Sequence, residues 1–105
     1  MGQWYAVAKT KDIRPGEVKH VELQGKEIGI YEVDGEYYAI SDICSHEYAR
    51  LSEGEFYPDE YLVECPLHGS QFDIRTGRPR SLPAVRPVPV YQIRVNGDDL
   101  EIYLD

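Results

Sequence analysis

The feature that most constrains this chain is the placement of its two cysteines, each a short step ahead of a histidine. Cys44-Ser45-His46 and Cys65-Pro66-Leu67-His68 form two boxes with eighteen residues between them, and they use both cysteines and two of the three histidines. Thiolate and imidazole are the soft and borderline metal donors of proteins, so two such boxes in loops read first as a metal site. The order of the donors narrows the choice. Structural zinc sites draw their ligands like with like, as C-x₂₋₄-C and H-x₃₋₅-H. Here each box offers one thiolate and one imidazole, which suits a two-iron cluster with both cysteines on one iron and both histidines on the other.

A chain of 105 residues makes one domain with a modest core, and a hydrophobic fraction of 42% suffices for a folded globule. No run approaches the roughly 20 apolar residues that span a bilayer. The start, MGQWYAVAKTKDIRPGE, lacks the basic-then-apolar pattern of a signal peptide, and Ala6 stands where a myristoylation motif needs Ser or Thr. A soluble, cytoplasmic protein with no membrane partner is expected. Thiols stay reduced there, which argues against a Cys44–Cys65 disulfide, and a bare disulfide would leave the adjoining histidines unexplained.

The net charge of −8 excludes nucleic acid as a partner, because that binding rests on phosphate neutralisation by Lys and Arg. The acidity is concentrated. Residues 43–73 carry Glu47, Glu53, Glu55, Asp59, Glu60, Glu64 and Asp73 against Arg50 alone. Such a segment keeps a small protein soluble and steers docking onto basic surfaces.

The chain reads as strands and turns throughout, with no sustained 3.6-residue period. Strands are expected over Gln3–Ala8, Val18–Leu23, Glu27–Val33, Tyr37–Ile40, Val88–Val95 and Leu100–Leu104. Asp34-Gly35 is a type I′ hairpin signal, and Asn96-Gly97 reads as a second of the same kind. Short strands at this spacing make an all-β antiparallel sandwich or barrel. Residues 41–74 interrupt the pattern with both boxes and one strand-like run, Tyr61–Glu64, which reads as a small subdomain inserted into the β fold.

C-x-H followed by C-x-x-H-G resembles the Rieske [2Fe–2S] motif. The stretch from Cys44 through Gly77, ending QFDIRTG, is similar to the small Rieske ferredoxins that feed bacterial ring-hydroxylating dioxygenases. Leu51-Ser52-Glu53-Gly54, Val63-Glu64, Arg75-Thr76-Gly77 and the terminal strand pair share the likeness, which covers nearly the whole chain. The resemblance implies a single Rieske domain over 1–105, a Rieske-like antiparallel β-sandwich with its cluster-binding subdomain at about 41–74. It implies one [2Fe–2S] cluster, with Cys44 and Cys65 on a buried iron and His46 and His68 on an outer one. Ser70 becomes a candidate hydrogen-bond donor to a bridging sulfide, and residues 78–89, rich in proline, a cover over the cluster.

The function implied is one-electron transport by a monomer between a flavin- or NADH-linked ferredoxin reductase and a terminal oxygenase. The chain is then no enzyme itself. Once the cluster takes its ligands only His20 remains, too few histidines for the mononuclear iron of an oxygenase, and no G-x-G-x-x-G fingerprint is present. His20 reads as a surface histidine well away from the boxes. The alternative is a Rieske-type small subunit of an assimilatory nitrite reductase, and a weaker one is a zinc-stabilised interaction module. Respiratory and photosynthetic Rieske proteins carry an extra disulfide and a tyrosine near the cluster; the matching positions here are Ala49, Leu67 and Phe72. With those groups gone, a redox titration should place the midpoint in the lower part of the roughly −150 to +300 mV Rieske range. A midpoint near the top would contradict the reading.

Overall fold

The computed structural model describes residues 2–45, 48–82, 84 and 86–105. Among them the chain forms ten strands and no α-helix: β1 (Gln3–Lys9), β2 (Val18–Leu23), β3 (Lys26–Val33), β4 (Glu36–Ser41), β5 (Phe56–Tyr57), β6 (Leu62–Glu64), β7 (Gln71–Asp73), β8 (Val90–Tyr91), β9 (Ile93–Asn96) and β10 (Asp99–Leu104). They assemble into three antiparallel sheets, ordered β2-β3-β4-β8, β1-β10-β9 and β5-β6-β7. The fold is all-β, as expected.

The four-stranded sheet is the middle layer, because successive side chains of a strand point to opposite faces. On β3, Ile28 and Ile30 join a core with Leu100 and Ile102 of the β1-β10-β9 sheet. Tyr31 and Val33 of the same strand join a second core with Val63, Phe72, Cys44 and Cys65. β4 divides in the same way, with Ala39 in the first core and Ile40 in the second. A strand covered on both sides reads as a nearly continuous apolar run rather than an alternation, and the last six residues of β3 are all buried.

Two expectations change. The strand expected over Val88–Val95 is broken at Gln92, since β8 pairs with β4 while β9 pairs with β10. Gln92 O accepts the Tyr103 N–H at 3.1 Å at the point where the chain crosses between sheets. The final hairpin is also of another kind than Asp34-Gly35, where both residues have positive φ (52° and 84°). Asn96 pairs directly with Asp99, so the loop residues are Gly97 and Asp98, and of these only Gly97 has positive φ (65°), the pattern of type II′. β5 and β7, which flank the expected run at Tyr61–Glu64, are too short to leave a period in the sequence.

The core shared by β3 and β10 lies apart from both Cys/His boxes. Ile102→Ala should therefore cost about 2–5 kcal/mol of stability, measured by denaturant unfolding, while the iron content of the purified protein stays unchanged.

Candidate metal centre

Both cysteines lie in hairpins that close in the same way. Ile43 bridges to Arg50, and the Cys44 N–H then donates to Ala49 O at 2.9 Å. On the other hairpin Glu64 pairs with Gln71, and the Cys65 N–H donates to Ser70 O at 2.7 Å. Each loop so closed turns its thiol inward: Cys44 is 4% exposed and Cys65 1%, both in the core with Ala49, Leu51, Val63 and Phe72. His68 is exposed at the surface. His46 lies outside the described residues.

Two features hold the loops side by side, and a third fixes the root of the first. The first is a close backbone approach at Gly54. A Cβ there would stand 1.8 Å from Glu64 O and 3.2 Å from Pro66 Cδ, so the chain leaving the first box touches the chain entering the second. The second is the proline-rich segment 78–89, which is stitched to both. The Ser45 hydroxyl donates to Arg86 O at 2.6 Å, the Ala84 N–H donates to Ser70 Oγ at 3.0 Å, and the Gln71 N–H donates to Ser81 Oγ at 2.9 Å. Ser70 is fully buried, and the bond it accepts orients its hydroxyl while leaving its own proton to give.

The third is Asp42, which the sequence reading did not single out. Two residues before Cys44 and fully buried, its carboxylate accepts the Ser52 N–H (2.7 Å), the Ser52 hydroxyl (2.6 Å) and the His20 Nδ1–H (2.6 Å). Its main chain donates to Glu27 O at 2.9 Å and accepts from the Leu51 N–H at 2.7 Å. The root of the first loop is thus pinned to β3 and to the turn after the box. His20 is correspondingly not remote from the boxes. The β2–β3 register puts it opposite Gly29, where the absence of a side chain leaves space for the Asp42 carboxylate.

Electrostatics around the first loop follow from these contacts. The Tyr48 hydroxyl donates to Glu27 and, against the effect of burial, holds that carboxyl below its usual range together with the Arg50 guanidinium. Burial, reinforced by the nearby Asp42 charge, pushes the Tyr31 hydroxyl well above its ordinary value. Ala49 and Leu67, the positions matching the missing disulfide, line one groove of about 420 Å³ with Tyr48, Arg50, Glu53 and Pro66. The chemistry of the donors fits a two-iron cluster: two buried thiols form a dry inner wall, and the imidazole of the second box stands at the wet outer edge.

Comparison with known proteins agrees with this geometry. Residues 3–92 match the Rieske [2Fe-2S] domain. The ferredoxin component of a naphthalene 1,2-dioxygenase system from Pseudomonas putida is 35% identical over 103 residues, covering 98% of this chain and 95% of that one. The ferredoxin of carbazole 1,9a-dioxygenase from Nocardioides aromaticivorans IC177 superposes with a TM-score of 0.91 at 36% identity, over 94% of this chain and 95% of the other. A chain in a complex of reduced oxygenase and oxidized ferredoxin of carbazole 1,9a-dioxygenase matches with a TM-score of 0.87 at 34% identity, covering 94% of this chain and 91% of that one. The protein belongs to the Rieske [2Fe-2S] domain family, and its cofactor is a Rieske [2Fe–2S] cluster.

Gly54 carries the contact that sets the two loops against each other. Gly54→Ala should purify with a reduced iron and acid-labile sulfide content per chain, because a methyl group there has to displace the backbone of Glu64. Full cluster occupancy in that variant would show that the approach is dispensable.

Proposed function

We propose that this protein is the ferredoxin of a ring-hydroxylating oxygenase system, carrying single electrons from a flavin- or NADH-linked reductase to a terminal Rieske oxygenase in the cytoplasm. The observation that carries the reading is the split of the donor set. Two thiols lie in the core and an imidazole of the paired box lies at the surface, in a chain similar to dioxygenase ferredoxins over almost its full length. On this reading residues 41–74 are the cluster-binding unit of a single domain. Cys44 and Cys65 hold the inner iron as thiolates, and His46 and His68 hold the outer iron through ring nitrogen.

The bound cluster supplies a reversible one-electron change, in a range raised above that of all-cysteine clusters because neutral imidazole donates less charge than thiolate. The side chains do the rest. The core around Cys44 and Cys65 excludes water from the thiolates, and the segment 78–89 holds both loops at fixed separation through Ser45 and Ser70. The exposed ring of His68 provides the edge at which a partner can come close. The relatives argue for the carrier over a nitrite reductase subunit, since they are ferredoxin components of dioxygenase systems.

The test is direct. Mixed anaerobically with NADH and a flavin-dependent ferredoxin reductase, the holoprotein should bleach, and an oxidised ring-hydroxylating oxygenase should restore its colour. A protein that neither accepts nor delivers electrons in this assay is not the carrier. His46→Ala and His68→Ala should each lose the Rieske EPR signal of the reduced protein, whose average g lies below that of all-cysteine centres. An intact signal in either variant would remove that histidine from the ligand set.

A further inference from the structure

One group of side chains outside the cluster loops has the makings of a second site. His20 and Glu22 stand two residues apart on β2 and share a face, and Glu27 on β3 is directly opposite Glu22. Their donor atoms converge. His20 Nε2 is 3.8 Å from Glu27 Oε1 and 4.0 Å from Glu22 Oε1, and one donor atom from each residue falls within a 4.8 Å span.

The imidazole is held for this purpose. A carboxylate only accepts, so the 2.6 Å contact to Asp42 Oδ2 requires the proton on His20 Nδ1. That bond fixes the ring orientation and leaves Nε2 facing the two glutamates. Nε2 is buried from solvent and makes no hydrogen bond, a state that is rare because it costs the desolvation of a polar atom. A carboxylate on one imidazole nitrogen and a vacant position on the other is the arrangement that orients metal-binding histidines.

We propose that His20 Nε2, Glu22 and Glu27 bind a divalent cation of the zinc type, separate from the cluster, with Asp42 as the outer carboxylate that positions His20. Mixed imidazole and carboxylate donors favour zinc over the all-oxygen preference of magnesium and calcium. Donors at about 2.0–2.2 Å from a tetrahedral zinc lie about 3.3–3.6 Å apart, so the His20–Glu distances have to close by about half an ångström and the full 4.8 Å span of the donor set by about an ångström. Glu22, with 66% of its side chain exposed, can make that movement. Glu27 is the fixed wall, held by the Tyr48 hydroxyl at 3.0 Å and by Arg50 Nε at 2.9 Å, which shares Oε1 with the site. The carboxylates of Glu22, Glu27 and Asp42 outweigh the Arg50 guanidinium, so the charge favours a dication.

The position adds a consequence. Asp42 belongs to the root of the first cluster loop, so a cation bound through His20 places positive charge behind it and should raise the midpoint of the cluster. The test is calorimetric titration of the holoprotein with Zn²⁺, alongside a redox titration with and without it. One equivalent is expected to bind, with an upward shift of the midpoint. His20→Gln should abolish this binding. Glu22→Gln, at an exposed position that leaves Asp42 and the fold untouched, should weaken it at least tenfold and remove the shift. If the parent protein takes up no zinc, or if Glu22→Gln binds it as the parent does, the site is not a metal site.

Discussion

Burial of the middle sheet on both faces is the constraint from which the rest of this structure follows. β3 alone contributes to two cores, with Ile28 and Ile30 on one side and Tyr31 and Val33 on the other. The first core is closed by the terminal strands β1 and β10 and is an ordinary apolar interior. The second is closed by the two hairpins that carry Cys44 and Cys65, so the thiols are part of the hydrophobic core. That fusion explains how a chain this small presents two thiols in a dry environment. It also means that the loops bearing the thiols are supported by the same packing that stabilises the fold.

Rigidity of the two cysteine-bearing loops comes from backbone geometry and hydrogen bonds in place of a cross-link. Ala49 and Leu67 line one groove but cannot be joined. The loops are fixed instead by the contact at Gly54, by the bonds from segment 78–89 to Ser45 and Ser70, and by the buried Asp42. Each such bond contributes only about 0.5–1.5 kcal/mol net. Their effect is collective, because they tie both loops to one segment and so remove relative motion between the loops.

Much of this could be read from the chain itself, and the exceptions have physical reasons. β2 has the expected bounds, Val18–Leu23, and Asp34-Gly35 is the expected turn, since both depend on local propensity. The structure buries both thiols and ties the proline-rich segment to Ser45 and Ser70, while His46 falls outside the described residues. The break at Gln92 was not legible, because it depends on which sheet each half of the run joins. Asp42 was not legible for a similar reason, and His20, read as a surface histidine away from the boxes, is bonded to it. Nothing local marks Asp42 as buried, and His20 approaches it only through a hairpin register that places Gly29 opposite.

The exposed side chains of the two loops bear on how a carrier of electrons can serve two partners in turn. Tyr48, Leu67 and Leu82, on the two loops and the segment that ties them, are 72%, 58% and 77% exposed. Three such side chains are far fewer than a permanent complex uses, where 2,000 Å² or more is typically buried. The remaining driving force is the acidic charge of residues 43–73, which accelerates encounter more than it prolongs the bound state. Dissociation governs most differences in affinity between related complexes, and a carrier must leave the reductase before it can meet the oxygenase. A small apolar contact inside a steering field provides this combination of fast arrival and short residence. A larger apolar face would bind either partner more tightly and carry fewer electrons between them.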